Sequence, residues 1–122
     1  MRFHAPEVSA SVSGDYYQLY FGPEEDDDAD PFEVVGPYLL VQREFEMSGR
    51  QCYIETENEN YVGHYSLRLI EFSSTLLSFD ILRTDNNHIE VSFALAASEF
   101  EEVRRVAEVI FGLREPDESD AL

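Results

Sequence analysis

The sequence predicts an α+β domain: a mainly antiparallel sheet of about six strands with one C-terminal helix packed on one face. Three observations predict it. Short runs rich in Tyr, Phe, Val, Ile and Leu alternate with a period of two, the spacing of a half-buried strand. Gly, Pro, Asn, Asp and Ser clusters punctuate those runs. One late stretch changes to helical spacing, so the helix follows the strands instead of alternating with them.

The segment from Phe3 to Val12 alternates weakly and opens the sheet, and Gly14-Asp15 turns the chain. In "YYQLYF" (16–21), Tyr17, Leu19 and Phe21 share one face while Tyr16, Gln18 and Tyr20 share the other. "YLLVQREFE" (38–46) puts Leu39, Val41, Arg43 and Phe45 on a common face. Ser48-Gly49 breaks that run, and "QCYIETE" (51–57) returns as the second arm of a hairpin. After the polar turn Asn58-Glu59-Asn60, "YVGHYSLRLIEF" (61–72) alternates through Tyr65, Leu67 and Leu69. Its phase then slips to Ile70 and Phe72, the mark of a β-bulge. "TLLSFDIL" (75–82) turns Leu77, Phe79 and Ile81 inward, and "HIEVSFAL" (88–95) turns Ile89, Val91, Phe93 and Leu95 inward. Asp85-Asn86-Asn87 between them tolerates positive φ.

The helix is expected to start at Ser98, because Ser98-Glu99-Phe100-Glu101 fits a capping box. Phe100, Val103, Val106, Ala107, Ile110 and Phe111 form one apolar stripe. Glu101 and Arg105 stand at i,i+4, and Gly112 supplies a C-terminal stop. The domain thus spans 1–113, and 114–122 is an acidic, frayed tail.

The chain has 122 residues and a net charge of −18; all eight basic residues are Arg, and Lys and Trp are absent. The run from Pro23 to Glu33 carries −7 and the stretch from Glu115 to Asp120 −4, more than half of the total. A field of this sign repels nucleic acid and anionic membranes and favours basic partners. A salt-rich cytoplasm would select the same composition. No signal-peptide or membrane-spanning run is visible, so the default compartment is the cytoplasm.

The acidic run, "GPEEDDDADPFE" (22–33), lies in a loop from 23 to 37 bracketed by Pro23, Pro31 and Pro37. Asp26, Asp28 and Asp30 fit the first, third and fifth positions of a calcium loop. Pro31 stands where that loop needs Gly, and Pro37 where it needs a bidentate Glu, so calcium is not expected. The run is instead read as partner-facing. Glu24, Glu25, Asp26, Asp27, Asp28, Asp30 and Glu33 supply the charge, and Phe32 the apolar anchor.

No other cofactor or catalytic site is legible. His4, His64 and His88 lack the close spacing of a zinc site. No nucleophile motif occurs, and the single cysteine, Cys52, reads as a small buried hydrophobe that reacts slowly. Two readings of Arg43 stand: a buried guanidinium paired with Glu55 across the hairpin, or an exposed residue past the end of the alternation.

"YLLVQR" (38–43), "YIE" (53–55), "YVGHYS" (61–66) and the closing helix "SEFEEVRRVAEVIFG" occur in an order that resembles the tenth numbered family of bacterial immunity proteins of polymorphic toxin systems. The resemblance spans roughly the last two-thirds of the chain and singles out Gln42, Arg43, Tyr53 and Glu55 as motif residues. Gly63 stands alone where that family carries more glycine. The resemblance implies a non-enzymatic protein that binds and neutralises a basic protein toxin, such as a nuclease, inside the producing cell. The residues by themselves also allow an acidic nucleic-acid mimic, a small ligand-binding domain, or a salt-adapted domain with no special partner.

Overall fold

Alternating sequence becomes eight strands and a single α-helix in the computed structural model, which describes residues 1–13, 16–23, 36–44 and 51–113. The strands are β1 (Arg2–His4), β2 (Glu7–Val12), β3 (Tyr16–Gly22), β4 (Leu39–Glu44), β5 (Gln51–Thr56), β6 (Gly63–Phe72), β7 (Leu76–Ile81) and β8 (His88–Ser92). A 3₁₀ turn at Glu59–Tyr61 precedes β6, and helix α1 covers Ala97–Ile110. The order across the sheet is β1-β8-β7-β6-β5-β4-β3-β2. All neighbours are antiparallel except β1 and β8, which pair parallel through Arg2↔Glu90, Phe3↔Val91 and His4↔Ser92. The sheet is therefore mixed and eight-stranded, where about six antiparallel strands were expected.

The difference lies in the first twelve residues. The weak alternation from Phe3 to Val12 is two strands at opposite ends of the strand order, separated only by Ala5 and Pro6. A flat sheet of this size would hold its outer strands ~33 Å apart at ~4.8 Å per neighbour. The three Cα–Cα steps from His4 to Glu7 cover only about 11 Å. The sheet must curl around its buried face until the end of β1 and the start of β2 lie within that reach. Pro6 has no N–H to offer either ladder, which suits it to this crossing, and Ala5 N–H donates to the Ser92 carbonyl (2.8 Å) as the chain leaves β1. No pair joins β1 to β2, so the two remain the outer strands of the order.

The inner face is the one that periodicity assigned. Tyr17, Leu19, Phe21, Leu39, Val41, Cys52, Ile54, Leu77, Phe79, Ile81, Ile89, Val91 and Phe93 are all buried in one core. Each fully buried large apolar side chain stabilises the fold by roughly 1.5–3 kcal/mol. Phenylalanines link through the core as a chain of ring contacts, Phe21–Phe93 (5.5 Å), Phe93–Phe72 (6.4 Å) and Phe72–Phe100 (5.4 Å), with a separate pair at Phe79–Phe111 (5.4 Å). β6 serves both halves of the sheet, pairing with β5 through Gly63–Ser66 and with β7 through Leu67–Phe72. The expected bulge falls between Leu69 and Glu71. It restores Phe72 to the inner face but leaves Ile70, expected to follow it inward, 53% exposed. The turn before β8 uses a left-handed residue as anticipated, at Asn86 (φ 48°).

Helix α1 buries Val103, Val106, Ala107, Val109 and Ile110 and packs on β2, β3 and β4. Its start differs from expectation. Ala96 occupies the cap position, Ser98 lies inside the first turn, and the only capping contact is from Ala96 N–H to the Glu99 carboxylate (3.2 Å). The spacing Ala96-x-x-Glu99 thus makes half of a capping box, two residues earlier than Ser98-x-x-Glu101. Glu101 bonds Arg104 at i+3 (2.7 Å), and Glu108 approaches the same guanidinium (3.8 Å). The C-terminus closes as expected on Gly112 (φ 77°), with Gly112 N–H to Val109 O (3.2 Å) and Leu113 N–H to Glu108 O (2.7 Å), a Schellman motif.

Phe45, the Gly14-Asp15 turn, the Ser48-Gly49 break and the 114–122 tail lie outside the described residues, as do Glu24, Glu25, Asp26, Asp27, Asp28, Asp30, Phe32 and Glu33 of the acidic run. No helix among the described residues is long and apolar enough to cross a membrane.

Candidate functional site: the tyrosine face of β3 to β5

With Leu19, Val41 and Ile54 turned into the core, the pleat turns their neighbours outward. Cross-strand register lines these up in two rows: Tyr20, Leu40 and Glu55 in one, and Gln18, Gln42, Tyr53 and His64 in the next. Tyr38, one residue before β4, stacks on Tyr20 (ring centroids 6.4 Å apart, planes at 28°). Tyr53 lies 5.2 Å from His64, its cross-strand partner. Gly22 makes the Tyr20 geometry feasible, because the Tyr20 hydroxyl occupies the space where a side chain at 22 would begin.

Glu55 is the centre of this surface. Its Oε2 accepts from the Tyr38 hydroxyl (2.9 Å) and its Oε1 from the Tyr53 hydroxyl (2.8 Å). Among the described residues no cation pairs with it. Burial, then the bond to Glu55, pushes the Tyr38 phenol up to about 12. The bond to Glu55, helped by burial, raises the Tyr53 phenol as well. Both phenols therefore remain neutral donors at physiological pH. Glu57 adds a second carboxylate at this end, accepting from Tyr38 N–H (2.9 Å). The acidic run is strung between Gly22-Pro23 and Gly36-Pro37, the ends that lead directly into the Tyr20–Tyr38 stack.

Neither reading of Arg43 holds as stated: it is half-buried and not exposed, and it does not pair with Glu55, because the two residues project from opposite faces of the sheet. Leu40 stands opposite Glu55, whereas Arg43 follows Leu39 and Val41 inward. There its Nη1 donates to the Val109 carbonyl (2.5 Å) near the C-terminus of α1. A cation at that end meets the negative pole of the helix dipole, so Arg43 ties the sheet to the helix. Cys52 does the same from β5, its thiol reaching the Ile110 carbonyl (3.5 Å). Cys52 is 2% exposed, and burial pushes its thiol up to about 11 against the opposing influence of Arg43, so it stays protonated and poorly nucleophilic. Of the four motif residues, Gln42, Tyr53 and Glu55 thus share the outer face, and Arg43 serves the core.

The other half of the outer face is built differently. Asp80 accepts from His88 Nδ1 (2.8 Å) and Arg68 (3.0 Å), and Glu90 pairs with Arg2 (2.6 Å). These bonds, with His88 first and Arg68 second, hold the Asp80 carboxyl below its ordinary range against a small opposing effect of burial. Ser78 Oγ lies 3.5 Å from His88 Nε2, which puts a serine, a histidine and an aspartate in relay order. Ser78 is only 4% exposed and lines neither of the two cavities described below. His4, the remaining histidine, bonds Ser92 Oγ (2.9 Å). Among the described residues no group of three or more His, Cys, Asp or Glu is placed to hold a metal.

A cavity of about 90 Å³ lies beside Arg43, Cys52 and Phe111, and a cleft of about 240 Å³ runs between the β6 bulge and α1 past Leu69, Phe72 and Ala107. Both are smaller than the roughly 300–1,000 Å³ usual for a small-molecule site.

The outward tyrosines had a sequence signal: alternation in "YYQLYF" already set Tyr16 and Tyr20 opposite the core face. What it lacked was the register that gathers Tyr20, Tyr38 and Tyr53 around Glu55. Comparison with known proteins adds no identification: no protein-family model matches the chain, and no curated protein matches it significantly.

Proposed function

We propose that this chain is a non-enzymatic immunity protein that binds and neutralises a basic protein toxin through the tyrosine face of β3 to β5. The observation that carries the reading is Glu55, an outward carboxylate held by two tyrosine hydroxyls and compensated by no cation among the described residues. Tyrosine is enriched at protein interfaces because its ring buries area while its hydroxyl keeps a polar partner. The net charge of −18 selects basic partners over nucleic acid and anionic membranes. The acidic run entering beside Tyr20 and Tyr38 steers such a partner during encounter, and the rings supply the close contact.

The test takes candidate toxins from the neighbouring genes and co-produces each with this chain, reading cell survival and the affinity of the purified pair. Tyr53→Ala should weaken the complex by about 2 kcal/mol or more, the cost of a central aromatic anchor. Replacing Glu24, Glu25, Asp26, Asp27 and Asp28 by Ser should lower k_on and flatten its salt dependence while leaving folding stability unchanged. A toxin that kills regardless of this chain and does not bind it would overturn the proposal.

A further inference from the structure

The chemistry around Glu55 specifies what kind of group the surface receives. Each carboxylate oxygen accepts one phenolic hydroxyl, at 2.8 Å from Tyr53 and 2.9 Å from Tyr38, which leaves further acceptor capacity on both oxygens. The two phenols pin the carboxylate from opposite oxygens, so its plane is fixed before any ligand arrives. Tyr20 and His64 extend the aromatic surround through their contacts with Tyr38 and Tyr53. Elsewhere on the same outer face the inward-leaning carboxylates of Asp80 and Glu90 already have an arginine partner each, Arg68 and Arg2. Glu55 has the same charge, more aromatic neighbours and no such partner among the described residues.

We propose that Glu55, Tyr38 and Tyr53 form a receptor for one arginine side chain of the bound protein. The guanidinium fork matches the two oxygens of a fixed carboxylate bidentately, and its flat cation is attracted to aromatic faces. An ammonium is a compact charge that can also donate to the carboxylate and meet the rings, but it lacks the planar fork that engages both oxygens in a fixed geometry and stacks flat on a ring. The contrast matters here because a field of −18 concentrates every cation near the surface. Geometry, not field strength, separates arginine from lysine. The inference rests on the partner-binding reading above but is tested without the partner.

The experiment follows the ring signals of Tyr38 and Tyr53 by NMR in the full chain, at an ionic strength near 0.15 M. The probes are N-acetyl-arginine amide, N-acetyl-lysine amide and the uncharged N-acetyl-citrulline amide. Arginine amide should shift both rings saturably and bind several-fold tighter than lysine amide, and citrulline amide should shift neither. Glu55→Gln should weaken arginine amide by about tenfold or more, since the charge-assisted bonds are lost. Glu102→Gln, a distant exposed helix carboxylate, should leave it unchanged. Tyr53→Phe keeps the carboxylate, removes one pinning hydroxyl, and should reduce the preference for arginine over lysine; it serves as the second probe if Glu55→Gln does not fold. Equal binding of arginine and lysine amides, or arginine binding indifferent to Glu55→Gln, overturns the proposal. The two readings fail separately: a toxin bound with no dependence on Glu55 sinks the receptor alone, and arginine amide binding at Glu55 without any bound toxin sinks the immunity function alone.

Discussion

The two halves of the outer sheet face handle negative charge in opposite ways. On β6, β7, β8 and β1, Asp80 pairs with Arg68 and hydrogen-bonds His88, and Glu90 pairs with Arg2. On β3, β4 and β5, Glu55 is held by Tyr38 and Tyr53, which satisfy its hydrogen bonding without cancelling its charge. Exposed ion pairs add little stability, commonly ~0–1 kcal/mol each, so the first arrangement is not explained by folding energy alone. What it does is place an arginine against each of Asp80 and Glu90. The second arrangement leaves a fixed negative charge in an aromatic setting, next to the most acidic stretch of the chain. The difference shows where on an acidic protein a cationic partner finds an oriented site and not just an attractive field.

The largest effect asks whether the halves share one core. Phe79 is fully buried beneath the ion-paired half and contacts Phe111 at the end of α1. Phe79→Ala should cost about 3–5 kcal/mol. Because small domains unfold as a unit, amide protection should fall on β3 to β5 as much as on β7 and β8. Loss confined to β7 and β8 would mean that the halves are separate cooperative units.

The helix gives a smaller effect, felt first beneath the tyrosine half on which it packs. Ala96→Ser would complete the capping box that Glu99 already half supplies and should stabilise by about 1 kcal/mol. Ser98→Ala should change stability by less than about 0.5 kcal/mol, as expected for a residue within the first turn. Denaturant midpoints measure both, and a loss of ~1 kcal/mol for Ser98→Ala would return the cap to Ser98.

Titration gives the smallest effect and separates the halves most cleanly. Asp80 has a lowered carboxyl, so its contribution is fully present above the unfolded value near 4 and disappears as pH falls through the lower folded value. Tyr38 has a raised phenol, so its contribution is fully present below the unfolded value near 10 and disappears as pH rises towards about 12. Thermal melts across pH should therefore lose an acid increment in Asp80→Asn and an alkaline increment in Tyr38→Phe, each leaving the other limb unchanged. A Tyr38→Phe profile identical to wild type above pH 10 would show that the Glu55 bond does not form in solution.

Most inner-face positions were legible from the chain because strand periodicity is local: the alternation of Leu19 with Tyr20, or of Phe79 with Asp80, needs only that the run be extended. Gly112 as the helix stop and the bulge after Leu69 were legible for the same reason. Local sequence also determined that the outer face of 16–21 would be aromatic. It could not count the strands, since splitting 3–12 into β1 and β2 depends on Ser92 and Gly22 waiting at opposite edges of a curled sheet. Nor could it choose between the two readings of Arg43, whose partner is a carbonyl 66 residues away. Glu55 seemed the natural partner by charge, but cross-strand register set the two on opposite faces and gave Glu55 to Tyr38 and Tyr53 instead. Charge and hydrophobic pattern act along the chain and can be read there. Pairing between distant segments is decided only when the whole sheet closes, because a register change of one residue would exchange every inner side chain for an outer one.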